Sequence, residues 1–271
     1  MTNGLTQVWK FDNRWELLIH RIFFRSTGLT TYRLDGLEFV VDHKGGDENG
    51  TRACLVSDMY RGLVAAMKFD GPVTLLDIGA NGGGFPLMLK ASGLTLRKVA
   101  AVELNPRTFG RMQLNVVQNL DAETMLVSGA ICGEPCTLDV RLGRGDTGDS
   151  FDSGDGADTR RHIVEGITFD QFYERAFGSE PVDLCKMDIE GAEHAIFAGN
   201  AYRSLARCRY LIIEIHEKGD HRAEPVRAAI EALGFVEMPG SRKSHHDVYC
   251  YENRRIGSAP EAEVERTAAF A

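Results

Sequence analysis

Two short segments of this 271-residue chain concentrate the side chains able to move protons. The first, Val182–Glu193 (VDLCKMDIEGAE), carries Lys186, Asp188, Glu190 and Glu193; the second, Tyr210–His216 (YLIIEIH), carries Glu214 and His216. Each opens with a short apolar run of the kind a buried parallel strand needs. A lysine inside a central strand is costly unless paired, so Lys186 predicts a carboxylate beside it. Asp188 and Glu190 fall beyond the carboxyl end of that strand, where open α/β sheets bind ligands. Glu190 and Glu193, three apart at the start of a following helix, are expected to face one way; Glu193 also reads as a plain helix-start charge. Glu214 and His216 share a sheet face by alternation. A neutral histidine at a strand end can take a proton from a hydroxyl, although a histidine read alone serves equally well as a satisfied hydrogen-bonding group. Asp188, Glu190, Glu193, Glu214 and His216 together have the oxygen-rich character of a hard-metal site. Their spacing matches no metal signature, so the expectation from sequence is no metal.

A second constellation lies upstream. The apolar run Val73–Ile78 (VTLLDI) ends in Asp77 and leads into Gly79-Ala80-Asn81-Gly82-Gly83-Gly84, ahead of a helix. Glycines permit such a sharp turn and let a ligand approach bare backbone. Asp77 would repel a pyrophosphate and suits the cationic end of a ligand, such as the amino group of a methionine moiety. The spacing also departs from G-x-G-x-x-G, with Asn81 in the second-glycine place. Glu103 ends the next strand (VAAVE) about 20 residues on, where a carboxylate can accept both ribose hydroxyls. Asn105-Pro106 opens the following helix. Ser128, Gly129 and Ala130, small residues at the end of the third strand, leave room for an adenine and fit a tight turn equally well.

Around these groups, apolar runs alternate with helical stretches, the signature of βαβ units. Strands are expected at 73–78, 98–103, 125–131, 182–188, 209–215, 234–238 and 247–252, with helices at 83–92, 106–119, 168–177, 191–204 and 221–233. Residues 136–142 and 162–168 read as an extra hairpin around the Gly/Asp-rich tract 143–156, a solvated loop with a lid as the alternative. Residues 240–246, with Arg242, Lys243, His245 and His246, read as loop charge; they approach the substrate if the seventh strand is antiparallel. In the N-terminal part, Phe11, Trp15, Leu18, Ile19 and Ile22 at helical spacing predict a core or dimer face in preference to a membrane anchor, which leaves a homodimer open. The runs 31–34 and 37–41 around Asp35-Gly36 predict a hairpin, and Ser57 an N-cap for a helix through Met67.

Composition sets outer bounds. With 31 basic and 39 acidic side chains the net charge is −8, which argues against a nucleic-acid partner bound through a broad basic surface. No run approaches the ~20 apolar residues of a membrane span. The six cysteines form no C-x-x-C pair and read as reduced thiols, an expectation of a cytoplasmic protein.

These motifs resemble the FkbM-type methyltransferases. The resemblance rests on Asp77-Ile78-Gly79-Ala80-Asn81 with Gly83 and Phe85, on Val102–Pro106, on Ile167-Thr168-Phe169-Asp170, on Lys186–Glu193 and on Ile213–His216. It covers about residues 73–217, and Lys-x-Asp-x-Glu-Gly-x-Glu is its most specific block. Gly84 stands where the family often has an aromatic residue, and Pro86 where serine is common. The resemblance implies an α/β class I methyltransferase (Rossmann-like) fold: a seven-stranded, mostly parallel sheet with helices on both faces. Here an N-terminal helix and hairpin extension (1–70) would precede the donor-binding domain (71–253), and a polar tail (254–271) would follow. It also implies S-adenosylmethionine as donor and methylation, usually of a hydroxyl, on a sugar, glycan or polyketide-like natural product. On this reading Asp77, Gly79, Asn81, Gly83, Glu103, Asn105, Ser128, Ala130 and Asp188 hold the donor. His216 is the first choice of base, Glu190 the second, and Lys186 orients them. N-methylation with the same donor site and a non-catalytic donor-binding scaffold remain the alternatives, while Asp77 and Asn81 weigh against a nicotinamide dehydrogenase.

Overall fold

The computed structural model describes residues 7–23, 28–45, 47–143, 160–241 and 247–257. A helix α1 (Arg14–Phe23) and a hairpin of β1 (Leu29–Leu34) and β2 (Leu37–Asp42) come first, then a π-helical turn (Glu48–Ala53) continued by α2 (Cys54–Val56) and α3 (Asp58–Val64). Next follow β3 (Val73–Ile78), α4 (Gly84–Ala91), β4 (Leu96–Glu103), α5 (Pro106–Asn119) and β5 (Glu123–Ser128). An insert of β6 (Ala130–Cys132), β7 (Cys136–Leu142) and β8 (Arg160–Thr168) precedes α6 (Phe169–Phe177), β9 (Val182–Met187), α7 (Glu193–Ala198) and a 3₁₀ turn (Arg203–Arg207). The chain continues through β10 (Cys208–Glu214), α8 (Ala223–Ala232), β11 (Phe235–Glu237), β12 (Val248–Asn253) and α9 (Arg254–Gly257).

Seven strands form one sheet in the order β11-β12-β10-β9-β3-β4-β5, with β12 alone antiparallel to its neighbours. From β3 the chain steps outward to β4 and β5, then crosses back to β9 on the other side. That reversal opens a crevice past the carboxyl ends of β3 and β9, the place where such sheets take ligands. Strand alternation sorts the core. Leu75, Val99, Leu184 and Ile212 pack on one face with the N-terminal helices and hairpin. Leu76, Ala100, Cys185, Leu211 and Ile213 pack on the other with α6, α7 and α8. The first 70 residues thus share a core with the sheet.

Several expectations change. The single strand expected at 125–131 divides at Gly129, and β6 leaves the main sheet to pair with β8, which also carries β7 antiparallel. The helix expected at 191–204 breaks near Gly199 into α7 and the 3₁₀ turn. Ser57 stands at the N-cap of α3 without a side-chain capping bond, and that helix ends at Val64. The α1 stripe is out of phase with expectation. Phe11 is buried ahead of the helix and Leu17 is its buried residue, whereas Trp15, Ile19 and Ile22 face outward. All six cysteines are free thiols. Among the described residues no helix is long and apolar enough to cross a membrane. The tract 144–159, residues 242–246 and the tail from 258 lie outside the described residues.

Two asparagines tie the N-terminal hairpin to the sheet. On α5, Asn119 accepts from the Glu38 amide (2.8 Å) and donates to its carbonyl (2.7 Å). One turn earlier, Asn115 does the same for Val40 (2.7 and 3.0 Å) and also donates to the Gly82 carbonyl at 2.8 Å. The outer edge of β2 therefore presents its peptide groups to side chains instead of to another chain. The π-helical turn presses on the glycine loop: a Cβ on Gly84 would collide with the Gly50 carbonyl and lie 2.7 Å from Thr51 Cα. Gly84→Ala should therefore destabilise the fold by about 1–3 kcal/mol through overpacking. Gly110→Ala, on the open face of α5 with nothing near its Cβ, should stabilise by about 0.5–1 kcal/mol. Denaturant unfolding of both variants checks the contrast.

Candidate active site

The glycine loop leaves β3 with Gly79 at φ 76°, Asn81 at 49° and Gly83 at 82°. Asn81 accepts this left-handed backbone, a conformation open to asparagine more than to most residues, and its Oδ1 takes the Gly82 amide at 2.7 Å. The bare faces of these glycines are largely occupied by the protein itself. A Cβ on Gly79 would run into the Asp188 carbonyl, and one on Gly82 into Thr51 Oγ1. Gly83 caps α4 against Met112 and Val116. Besides permitting the turn, Gly79, Gly82 and Gly84 are thus needed for close packing of the protein against the loop.

Glu103 sits at the mouth of the loop, accepting the backbone amides of Asn81 (2.9 Å) and Asn105 (2.8 Å). Asn105 is buried, and its side chain caps α5 by accepting from the Arg107 amide at 3.0 Å. Its role here is to shape the loop. Ser128 is exposed and pairs in register with Glu103. Ala130 is corrected: it is buried in β6 within the core of the smaller sheet, because the strand turns away at Gly129. Asp77 is wholly buried, and neither carboxylate oxygen has a hydrogen-bond partner. Burial pushes its pKa up to about 6, against the pull of Lys186. Thr51 Oγ1 is likewise buried without a partner. A buried carboxylate and a hydroxyl with open hydrogen-bonding capacity, next to a second carboxylate at the adjoining strand end, fit a ligand with a cationic amino end and a ribose.

Lys186 joins this loop to the proton-handling side. Its Nζ donates to the Gly79 carbonyl at 2.7 Å and lies 3.6 Å from Asp77 and 3.4 Å from Asp188. Burial works against its charge, but Asp188 and Asp77 more than reverse this, so the ammonium holds its proton firmly. Lys186 is committed to these partners, which makes it a positioning residue.

Glu190 and Glu193 converge on one imidazole, that of His216, although Glu190 lies ahead of the helix and not on it. Glu190 precedes α7 with φ 54° and is partly exposed, while Glu193 is fully buried. The left-handed backbone at Glu190, unusual for a non-glycine residue, turns its carboxylate to within 3.5 Å of His216 Nε2. Glu193 accepts the Gly191 amide (2.8 Å), the His216 amide (2.7 Å) and His216 Nδ1 (2.9 Å). His216 Nε2 is 3.7 Å from Glu214. Burial works against the imidazolium, yet Glu193, Glu190 and Glu214 raise the His216 pKa to about 9. At neutral pH His216 thus already carries the proton that the sequence reading asked it to accept. Glu214 is pushed up to about 7 by burial and then by Asp188, and Glu190 is also raised by burial. Among the described residues, one oxygen each of Asp188 and Glu214 and a ring nitrogen of His216 lie within 4.8 Å of one another, a grouping able to hold a metal. A cleft of about 540 Å³ adjoins Glu190 and His216, walled by Phe197 and Val226 with His194, Lys218 and His221 at hand.

Sequence reasoning located Lys186, Asp188, Glu190, Glu214 and His216 together. It missed Thr51, which lay in a stretch read only as a polar turn, and it underrated Glu193. The signal for Glu193 was present in the Lys186–Glu193 spacing, but its contact with His216 crosses 23 residues.

The sequence profile described as the methyltransferase FkbM domain matches residues 77–237. Similar solved structures include an FkbM methyltransferase from Methylobacillus flagellatus KT, at 14% identity and TM-score 0.44, aligned over 69% of this chain and 45% of that one. Magnesium protoporphyrin IX methyltransferase (ChlM) from Synechocystis PCC 6803 with bound SAM aligns at 14% identity and TM-score 0.41, over 74% and 79% of the two chains. Aeropyrum pernix fibrillarin in complex with S-adenosyl-L-methionine aligns at 15% identity and TM-score 0.41, over 83% and 93%. This chain thus spans less than half the length of the Methylobacillus protein. A search of curated proteins gave no match. With the profile spanning more than half the chain over the very residues that build the loop and the acidic edge, the protein belongs to the FkbM methyltransferase family.

Proposed function

We propose that this methyltransferase acts on oxygen, methylating a hydroxyl of a sugar, glycan or polyketide-like small molecule. The observation that carries this reading is the pair of carboxylates, Glu190 and Glu214, set around His216 at the mouth of an accessible cleft. S-adenosylmethionine supplies an electrophilic methyl group on a sulfonium centre. Asp77 pairs with its amino end, Gly79, Asn81 and Gly83 shape the loop around it, and Glu103, flanked by Asn105 and Ser128, receives its ribose. Lys186 fixes Asp77 and Asp188 in register across the two strands. The acceptor hydroxyl enters from the cleft. Its oxygen bonds to the methyl carbon as the carbon–sulfur bond breaks, and its proton passes to Glu190. This assignment follows from the protonation of His216, which leaves Glu190 as the exposed carboxylate beside it. Alignment of oxygen and methyl supplies the larger share of the rate, about 7–11 kcal/mol in well-oriented cases, and the base about 10²–10⁴-fold.

Product analysis over a panel of hydroxyl and amine acceptors tests the reading; an exclusively N-methylated product overturns it. Glu190→Gln should lower kcat by about 10²–10⁴-fold while donor affinity, measured by calorimetry with S-adenosylhomocysteine, stays near wild type. Donor affinity should itself depend on pH. Asp77 binds the amino end only when ionised, and its pKa in the empty site is about 6. The Kd for S-adenosylhomocysteine should therefore be flat above that value and rise about tenfold for each pH unit below it. Asp77→Asn should remove this dependence and weaken binding at neutral pH.

A further inference from the structure

The geometry points to a divalent cation site, for Mg²⁺ or Mn²⁺, formed by Asp188, Glu214 and His216 beside the point of methyl transfer; it rests on the hydroxyl-acceptor reading above for its purpose, though not for its existence. Three donor atoms converge within 4.8 Å. Asp188 and Glu214 are each about a quarter exposed at the side chain, 27% and 22%, so rotation alone brings them onto an ion. Lys186 lies 3.4 Å from Oδ2 of Asp188, and an oxygen of the same carboxylate is one of the three converging donor atoms.

The histidine is built as a ligating histidine is built. Its Nδ1 donates to Glu193, a carboxylate with no solvent exposure that also holds the His216 and Gly191 amides. A buried carboxylate on one ring nitrogen fixes the tautomer and aims the other nitrogen at a metal. Here Nε2 faces Glu190 and Glu214, at 3.5 and 3.7 Å.

Charge supplies a separate argument. Asp77, Asp188, Glu190, Glu193 and Glu214 gather around Lys186 and His216. The bound donor adds one net positive charge, which still leaves carboxylates in excess. A divalent ion that takes the place of the His216 proton offsets most of that excess. Oxygen donors with one imidazole and no thiolate select a hard ion.

Such an ion would bind the acceptor hydroxyl as a Lewis acid and lower its pKa, so that the proton passes more readily to Glu190. Its remaining coordination positions suit a second oxygen on the carbon next to the reacting one. The acceptor class is then a molecule with neighbouring hydroxyl groups, such as a sugar ring.

The test is a titration of the EDTA-treated, dialysed full chain with Mn²⁺, followed by electron paramagnetic resonance of the free ion with S-adenosylhomocysteine present. One Mn²⁺ per chain is expected. Binding should weaken by about 10–100-fold or more in Glu214→Gln and His216→Ala, since even the partners behind a metal ligand have effects of that size. Glu214→Gln should keep the wild-type Tm, His216→Ala should lower it because the buried Glu193 loses a partner, and both should keep the S-adenosylhomocysteine affinity, which separates loss of the ion from loss of the fold. Absence of Mn²⁺ binding, or equal binding in wild type and both variants, overturns the site. So does full turnover in EDTA, and with amine acceptors that result would assign the carboxylates to a cationic substrate. Stoichiometric Mn²⁺ binding in an enzyme that yields only N-methylated product keeps the site and overturns the hydroxyl reading instead.

Discussion

The ammonium of Lys186 is the point on which the site depends. It is buried where the strand order reverses, with the Gly79 carbonyl at 2.7 Å and a carboxylate from each of β3 and β9 within 3.6 Å. Taking such a charge out of water costs several kcal/mol per ion, recovered only when its partners are close and well placed. Here the recovery is shared by the glycine loop and the two strand ends. Removing the lysine would leave Asp77 buried with nothing opposite it. The loop geometry and the acidity of the edge are thus two consequences of one cation, which explains why a lysine occupies the buried end of this strand.

Around that centre the carboxylates are differentiated by environment more than by type. Glu193 is fully buried but bonded by two backbone amides and an imidazole, and these hold its pKa below the usual range against the effect of burial. Glu214 has no such donors and is driven the other way by burial and Asp188. Asp77 is raised although a lysine stands beside it, because burial outweighs the pull of that lysine and the charge of Asp188 adds to the effect. Chemically similar groups are thereby assigned distinct protonation behaviour within one small volume.

Much of this was legible in the chain itself. The alternation of apolar runs and amphipathic helices gave the parallel sheet, and the spacing of Asp77, the glycines and Glu103 gave the loop and its acid, because both depend on local periodicity. The division of the strand at Gly129 was not legible, since β6 is drawn away by pairing with β8 more than 30 residues later. The strained turn at Glu190 was hidden for a similar reason: a helical reading of Glu190–Glu193 is locally reasonable, and the tertiary hold of Glu193 on His216 decides otherwise. The exposed stripe of α1 shows the reverse case. Its periodicity is real, but the residue that reaches the core is Leu17, one step out of the expected phase.

The side chain of Asn115 has a consequence for how this architecture can diversify. It grips Val40 on the outer hairpin and the Gly82 carbonyl in the donor loop with a single amide, while Gly50 and Thr51 press on the same loop from the N-terminal side. The described part of the N-terminal extension is therefore a wall of the glycine loop, on the sheet face opposite α7 and α8. A chimaera that borrowed the extension of a relative to change its substrate would import that wall with it. New specificities in this architecture are thus expected to be gained in the cleft between α7 and α8, where side chains can vary without disturbing the loop.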